Sequence, residues 1–483
     1  MSSPATANTP PEGPSAGHVS PQTAILAIIL LSYFMVLLDN SVIFTALPSL
    51  QSDLDLTRGE LSWVQDIYTL VFGGFLLLGA RAGDLLGRRR VFIAGLAIFT
   101  LASFLIGIAP AGWWIIASRA LQGIGAAIVA PATLSLLTSS FAEGNERSRA
   151  ISWYGATAGI GASLGLVLGG ALTSWISWRA GFFVNVPIGI AMIALAPKYL
   201  PESERQRGKF DLPGALLATF GVGAVVFGVI ESVEQGWTSL TTLSSLAVGV
   251  ILLAALVFNE RRAAQPIMPL RLFASRERTG AYIVRLLFLG AMIGFFYFSS
   301  QFMQGVLGFT PLQAGAGFLP MTIVNFAVAL STPAITRRFC TTLPIVVGIA
   351  IACAGVFWLS HVHVNSNYLT DLALPMLLIG AGQGLAFAPL TSAGIAGVAV
   401  EDAGAASGLV NTFHQVGMSL GLAVVVAVAT PVAASEYDDA ARLALESSVA
   451  LSTGSLFMVL SLVVAFVLIV PAAVSSRRKL SEK

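Results

Sequence analysis

The chain alternates between long apolar blocks and short polar stretches. Fourteen blocks approach the roughly 20 apolar residues that a helix needs to cross a bilayer. They fall near 22–47, 60–80, 91–109, 112–138, 149–173, 181–199, 213–231, 239–258, 280–305, 311–335, 342–360, 371–394, 404–431 and 449–472. The polar positions between them carry a second pattern. With both termini placed on one side, 21 of the 26 Lys and Arg residues share that side, Arg88, Arg89 and Arg90 among them. The other side keeps Arg58, Arg179 and Arg442, while Arg119 and Arg285 lie inside blocks. Positive charge collects on the cytoplasmic face, so the pattern predicts an all-α membrane protein of fourteen spanning helices with both termini cytoplasmic.

An internal repeat is visible. Ala130, Pro131 and Thr133 in the fourth block recur as Ala388, Pro389 and Thr391 in the twelfth, an offset of 258 residues. Gly161 and Gly165 in the fifth recur as Gly417 and Gly421 in the thirteenth, an offset of 256. Two six-helix bundles, 22–199 and 280–472, fit these offsets if the linker 200–279 holds an extra helix pair at 213–258. An inserted pair preserves orientation, which makes the bundles parallel repeats. Residues 1–21 and 473–483 read as cytoplasmic tails, the first of them disordered. Gly161, Gly165 and Gly169, with Gly170 beside them, follow the spacing that lets helices approach closely in lipid. Their recurrence in both halves points to a gliding seam between the bundles.

Composition narrows the classes. The sequence is 56% hydrophobic and 10% charged, with a mean hydropathy of +0.83, against about 25% charged residues in soluble domains. A water-soluble or secreted fold is excluded, and a net charge of +2 offers no field for nucleic acid. Cys340 and Cys353 are too few for a disulfide framework, and the four histidines show no metal-ligand spacing. No Walker-type phosphate loop is present. Uphill work would therefore draw on an ion gradient, with no cofactor and no metal.

Ionisable groups inside a bilayer are costly and mark function. Asp39, Asp66 and Arg119 reach a similar level, roughly 10 Å below the outer surface at the rise of an α-helix. Two carboxyls and one guanidinium at one level suggest a proton-coupling cluster, because burial and a nearby cation act on a carboxyl in opposite senses. The offset maps Arg119 onto Leu377, so the N-terminal half is expected to carry the proton. Arg285 lies near the inner end of its block, where its head can snorkel to the interface. A substrate cavity would draw on Asn40, Gln122, Tyr297, Gln301, Gln304, Asn325, Gln383, Asn411 and His414. No nucleophile–base pair stands out, so no enzymatic activity is expected.

The stretch from Gly79 to Phe92, GARAGDLLGRRRVF, resembles the signature loop of the major facilitator superfamily. Gly79, Asp84, Gly87, Arg88 and Arg89 match as a cytoplasmic latch, whereas Ala80 stands where a glycine is usual. LDNSVIFTALP from Leu38, RALQGIGAA from Arg119 and WRAGFFVNVPIG from Trp178 are similar to motifs of its fourteen-helix drug:proton antiporter family. GASLGLVLGG, Gly161 to Gly170, is similar to the antiporter motif except that Leu166 replaces its proline. The resemblance implies coupling roles for Asp39 and Arg119. It also implies proton-driven efflux of small amphipathic, cationic drugs from a bacterial cytoplasm by rocker-switch alternating access, as a monomer in the lipid bilayer. A dedicated exporter of one endogenous metabolite, such as an antibiotic or siderophore, is the alternative. A lipid-handling or sensor protein is a more distant one.

Overall fold

The structure is a computed structural model and describes residues 21–141, 144–202, 211–339, 341–399, 402–432 and 438–472. The two expected tails lie outside these residues except for Pro21. Sixteen α-helices are described: α1 (Pro21–Leu54), α2 (Arg58–Leu86), α3 (Arg88–Gly107), α4 (Gly112–Ser140), α5 (Asn145–Trp175), α6 (Trp178–Phe183), α7 (Asn185–Tyr199) and α8 (Leu212–Gln235). They continue as α9 (Leu240–Arg262), α10 (Arg276–Gly305), α11 (Pro311–Gly317), α12 (Leu319–Phe339), α13 (Thr342–Leu359), α14 (Leu374–Gly394), α15 (Ala403–Val432) and α16 (Asp439–Val464). Thirteen candidate spans are long and apolar enough to cross a membrane, among the described residues. The fourteenth expected span corresponds to α5, whose Leu164–Trp175 part is the apolar stretch recognised there. α6 with α7, and α11 with α12, each make up one span.

Local chemistry explains where the helices start and bend. Thr57 and Glu60 form a reciprocal capping box at the start of α2, with bonds of 2.9 and 3.2 Å. Gly87, at φ +103°, links α2 to α3 in a conformation that side chains avoid. The apolar pattern ends the first block before Pro48, yet α1 continues through it to Leu54. A proline leaves the carbonyl four residues earlier without its helical donor. Here that carbonyl, Phe44 O, accepts from Ser300 Oγ of α10 at 2.7 Å. The carbonyl is thereby satisfied by another helix.

The same pairings recur in the two sets of helices. α5 packs on α1 as α15 packs on α10; α4 joins α2 and α3 as α14 joins α12 and α13. Contacts between the sets run through α2 with α15, α5 with α11, and α1 with α10. The pair α8–α9 lies outside them, with α8 against α2 and α15. Val226 and Ile230 of α8 share an apolar cluster with Ala423 and Ala427 of α15 and with Trp63 of α2. The bundle has two ends, named here by their residues: the Gly87 end, where α1 begins, and the Arg58 end, where α1 passes into α2.

Gly161, Gly165 and Gly169 of α5 do not form a seam between the sets. A Cβ at Gly161, Gly165 or Gly169 would meet Leu37, Ser41 or Val42 of α1, in the same set of helices. Gly417 and Gly421 likewise abut Leu286 and Gly290 of α10. Backbones this close hold two helices together rather than let them slide. The contact between sets is made instead by Gly170 on Pro311 and by Gly315 on the carbonyl of Leu166. Leu166, at the place of the motif's proline, sits in that contact.

Candidate coupling and substrate sites

Four helices converge on one ion pair. Arg119 Nη1 of α4 donates to Asp39 Oδ2 of α1 at 2.7 Å, and both side chains are 0% exposed. Gln122 Nε2 reaches Asp39 Oδ1 at 2.7 Å, and Asn185 Nδ2 reaches the same oxygen at 2.9 Å. Arg119 is held equally fully. Its Nε donates to Val64 O at 3.0 Å and its Nη1 to Gln122 Oε1 at 2.6 Å. Its Nη2 reaches Gln65 Oε1 at 3.5 Å, and the guanidinium lies 4.1 Å from the Tyr68 ring centroid. Gln65 Nε2 in turn donates to Asn40 Oδ1 at 3.3 Å, and Ser103 Oγ accepts from Gln122 Nε2 at 2.9 Å.

Removing two ions from water costs several kcal/mol each and is offset only by good geometry and further hydrogen bonds. The local sequence supplies them. Arg119 and Gln122 lie about one turn apart on α4, and the break at Val184 between α6 and α7 places Asn185 in the first turn of α7. The sequence placed Asp39, Arg119, Gln122 and Asn40 in this region but missed Asn185, Gln65, Ser103 and Tyr68. Asn185 stands in the quoted stretch WRAGFFVNVPIG, and Gln65 directly precedes Asp66. Both signals were there to use.

Asp66 is not part of the pair. It is 0% exposed, and neither carboxyl oxygen has a hydrogen-bond partner. Ionising a buried carboxyl without a counter-ion is costly, so Asp39 and Asp66 sit in opposite chemical situations on one side of the bundle.

The other cavity candidates do not share one space. Gln122 is consumed in the ion-pair network, and Asn40 is tied to Gln65. Tyr297 and Gln301 line a cavity of ≈ 400 Å³ at the Arg58 end, together with Gln51, Arg58 and Glu446. Arg58 and Glu446 form an ion pair there that joins α2 to α16. Gln304 Nε2 donates to Thr45 O of α1 at 3.3 Å. Asn325 and Gln383 are half-buried, Asn325 on α12 packing by its backbone against Gly384 of α14. Asn411 and His414 lie towards the Gly87 end of α15.

Arg285 does not snorkel. It is 4% exposed and turns inward, with Nη1 at 2.9 Å from Thr391 Oγ1 and Nη2 at 3.3 Å from His414 Nδ1. α10 begins at Arg276, earlier than the apolar block, and this sets Arg285 deeper than the sequence suggested.

The loop motif at Gly87 is built largely within its own set of helices. A Cβ at Gly79 would come within 2.2 Å of Ala127 O, the carbonyl that Pro131 leaves unpaired in α4. Arg88 Nη1 donates to Ser135 O at 3.3 Å and Arg89 Nη1 to Leu200 O at 3.1 Å, the favourable placement of a cation near helix C-termini. The side chain of Asp84 lies outside the described residues. Nearby, Arg271 holds Asp402 through two bonds of 2.7 and 2.6 Å, which keeps that carboxyl below the usual carboxylate range. Among the described residues no group of His, Cys, Asp or Glu could hold a metal ion.

Comparison with known proteins agrees with this architecture. Residues 29–422 match the profile of the Major Facilitator Superfamily. The chain is 41% identical over 414 residues to the cephamycin export protein CmcT of Amycolatopsis lactamdurans, covering 85% of both chains. It is 38% identical over 423 residues to the puromycin resistance protein pur8 of Streptomyces alboniger, covering 86% of this chain and 83% of that one. It is 34% identical over 409 residues to the multidrug resistance protein Stp of Mycobacterium tuberculosis, covering 83% and 75%. Among solved structures, a bacterial homologue of the human lysosomal transporter Spinster, inward-facing and unoccupied, superposes with a TM-score of 0.64. Its identity is 16%, with 97% of this chain and 99% of that chain covered. The nucleoside transporter NupG gives a TM-score of 0.61 at 12% identity, covering 92% and 99%.

Proposed function

The chain belongs to the Major Facilitator Superfamily, and we propose that it exports small amphipathic compounds across the bacterial cytoplasmic membrane in exchange for protons. The observation that carries this reading is the Asp39–Arg119 pair, fully buried and fully hydrogen-bonded. Protonating Asp39 would remove the charge that Arg119, Gln122 and Asn185 are arranged to stabilise, and these groups sit on α1, α4 and α7. A proton would therefore loosen three helices at once and favour a second arrangement of the bundle. Asp66 is a second group for a proton, one that the surroundings favour in its neutral form.

The two six-helix sets, 22–199 and 280–472, would rock about the contact of α1 and α2 with α10 and α15. The α8–α9 pair would bridge them through α8. The Gly87 end, rich in arginine, would face the cytoplasm. Ser300 on Phe44 O, Gly170 on Pro311 and Arg58 on Glu446 join the sets towards the Arg58 end, so this arrangement would be closed outward. The protein is proposed to act as a monomer. Engaged by Arg119, Asp39 is not free for a cationic substrate, and the charge of the cargo falls to Asp66 and Arg285, which have no ion-pair partner among the described residues.

The test uses purified protein in liposomes, an imposed pH gradient and a panel of fluorescent amphipathic compounds. Gradient-driven uptake by the native protein, lost in Asp39→Asn, is the expected result. Uptake indifferent to the gradient, or unchanged in Asp39→Asn, would overturn the coupling role. Relatives named for the export of one antibiotic favour a second reading, a dedicated exporter, which would move one compound of a broad panel and ignore the rest.

A further inference from the structure

We propose that Arg285 and His414 form the subsite that receives an anionic group, a carboxylate or similar oxyanion, of the exported compound. This rests on the export reading above and names the chemistry of its cargo.

A guanidinium buried to 4% exposure would ordinarily be matched by a carboxylate. Arg285 has neutral partners instead. Nη1 donates to Thr391 Oγ1 at 2.9 Å and to Phe387 O at 3.4 Å, and Nη2 meets His414 Nδ1 at 3.3 Å. The Phe387 ring lies 3.7 Å from the guanidinium carbon, and Nε is buried with no partner. Arg119 shows what this chain builds when a buried guanidinium has a counter-ion within the protein: a carboxylate at 2.7 Å and donors around it. At Arg285 no carboxylate pairs with the guanidinium among the described residues, while the rest of the cradle is present.

The cradle also adjoins a polar face of α15. Ser407, Asn411 and His414 fall on one face of α15, seven residues from first to last. Ser407 and Asn411 are exposed and His414 is half-buried, so polar side chains follow one another along this face from the Gly87 end to the residue that meets Arg285. Asn411 donates only within its own helix, to Ser407 O at 3.2 Å. An amphipathic anion entering there would bring its charge to the guanidinium fork and its apolar body to Phe387, whose ring also meets His414 edge-on at 5.9 Å. The arrangement suits a planar oxyanion, which arginine binds with two parallel bonds. A cation would meet only repulsion.

The experiment compares dansyl-phenylalanine, which carries a carboxylate, with its uncharged amide. Binding to the native protein in phosphatidylcholine nanodiscs, which contain no anionic lipid, is read by energy transfer from tryptophan to dansyl. The acid is expected to bind about tenfold or more tightly than the amide, the scale of one charge-assisted hydrogen bond. Arg285→Gln should abolish that preference by weakening the binding of the acid, and Arg285→Lys should keep part of it. Equal binding of acid and amide, absence of acid binding, or a preference that survives Arg285→Gln would overturn the subsite. The comparison on the native protein stands even if Arg285→Gln does not fold. It is also separate from the efflux reading: preferential binding without gradient-driven transport would sink efflux and keep the subsite, and transport without preference would do the reverse.

Discussion

Asn185 and Asp39 lie 146 residues apart in the chain and share a hydrogen bond of 2.9 Å in the bundle interior. The bond ties the start of α7 to the middle of α1, so the carboxylate at the centre of the network is positioned by a helix remote in sequence. Replacing Asn185 with Val removes one donor from a charged acceptor, a loss of about 1.5–3 kcal/mol. Proton-driven flux should fall roughly tenfold or more for a loss of that size, and the pH dependence of flux should shift with it. Flux and pH profile both matching the native protein would show that Asn185 has no hold on coupling.

The buried pair makes a prediction about stability that is independent of transport. Breaking a buried pair by removing one partner costs about 3–5 kcal/mol, while removing both can be nearly neutral. Asp39→Asn and Arg119→Gln should each lower the unfolding temperature in detergent. The double variant should recover most of that loss, since no uncompensated charge is left inside. Additive losses in the double variant would mean that the two residues are not energetically a pair.

These contrasts mark where sequence was informative. Block length pointed to the spans because hydrophobic thickness acts on local stretches of chain, and the recurrence of Ala130, Pro131 and Thr133 as Ala388, Pro389 and Thr391 pointed to the paired packing of α4 and α14. Asp39 and Arg119 were legible for a related reason: charge in an apolar run is conspicuous. The partition between Asp39, which is paired, and Asp66, which is not, was not legible. Both stand at a similar level, and only the rotation of α2 decides which of Gln65 and Asp66 faces Arg119. Arg285 was misjudged because the apolar block begins after the helix does. Ser300 on Phe44 O was out of reach altogether, since it depends on a carbonyl freed by a proline in one helix meeting a hydroxyl 256 residues away.

The ion pair of Arg58 with Glu446 joins α2 to α16 beside the cavity at the Arg58 end, with Arg442 a further 3.5 Å from the same carboxylate. Glu446 is 4% exposed, and losing it leaves two guanidiniums facing one another. Glu446→Gln should open this end, read as faster labelling of a cysteine introduced at Gln301 in a background lacking Cys340 and Cys353. Exchanging the charges, Arg58→Glu with Glu446→Arg, should restore slow labelling. Labelling rates equal to the native background in Glu446→Gln would show that the pair does not hold the end closed.

A tight glycine contact between two helices of the C-terminal set supplies a sharp packing test. A Cβ at Gly421 of α15 would fall 2.1 Å from the Cα of Gly290 in α10, and both atoms belong to backbone that cannot rotate away. Gly404, on the same helix, has nothing within 4 Å of its Cβ position. In lipid there is little hydrophobic gain from burying a methyl group between helices, because the tails outside are equally apolar. The steric term therefore acts almost alone. Gly421→Ala should force α10 and α15 apart at a cost of about 1–3 kcal/mol or more, the range for overpacking. Gly404→Ala should change little, and the higher helix propensity of alanine should leave it neutral or slightly stabilising. Unfolding temperatures of the two purified variants decide the matter. Equal values would mean that α10 and α15 do not approach as closely as their glycines permit, and Arg285 and His414, which face each other across that same helix pair, would lose the support for their spacing.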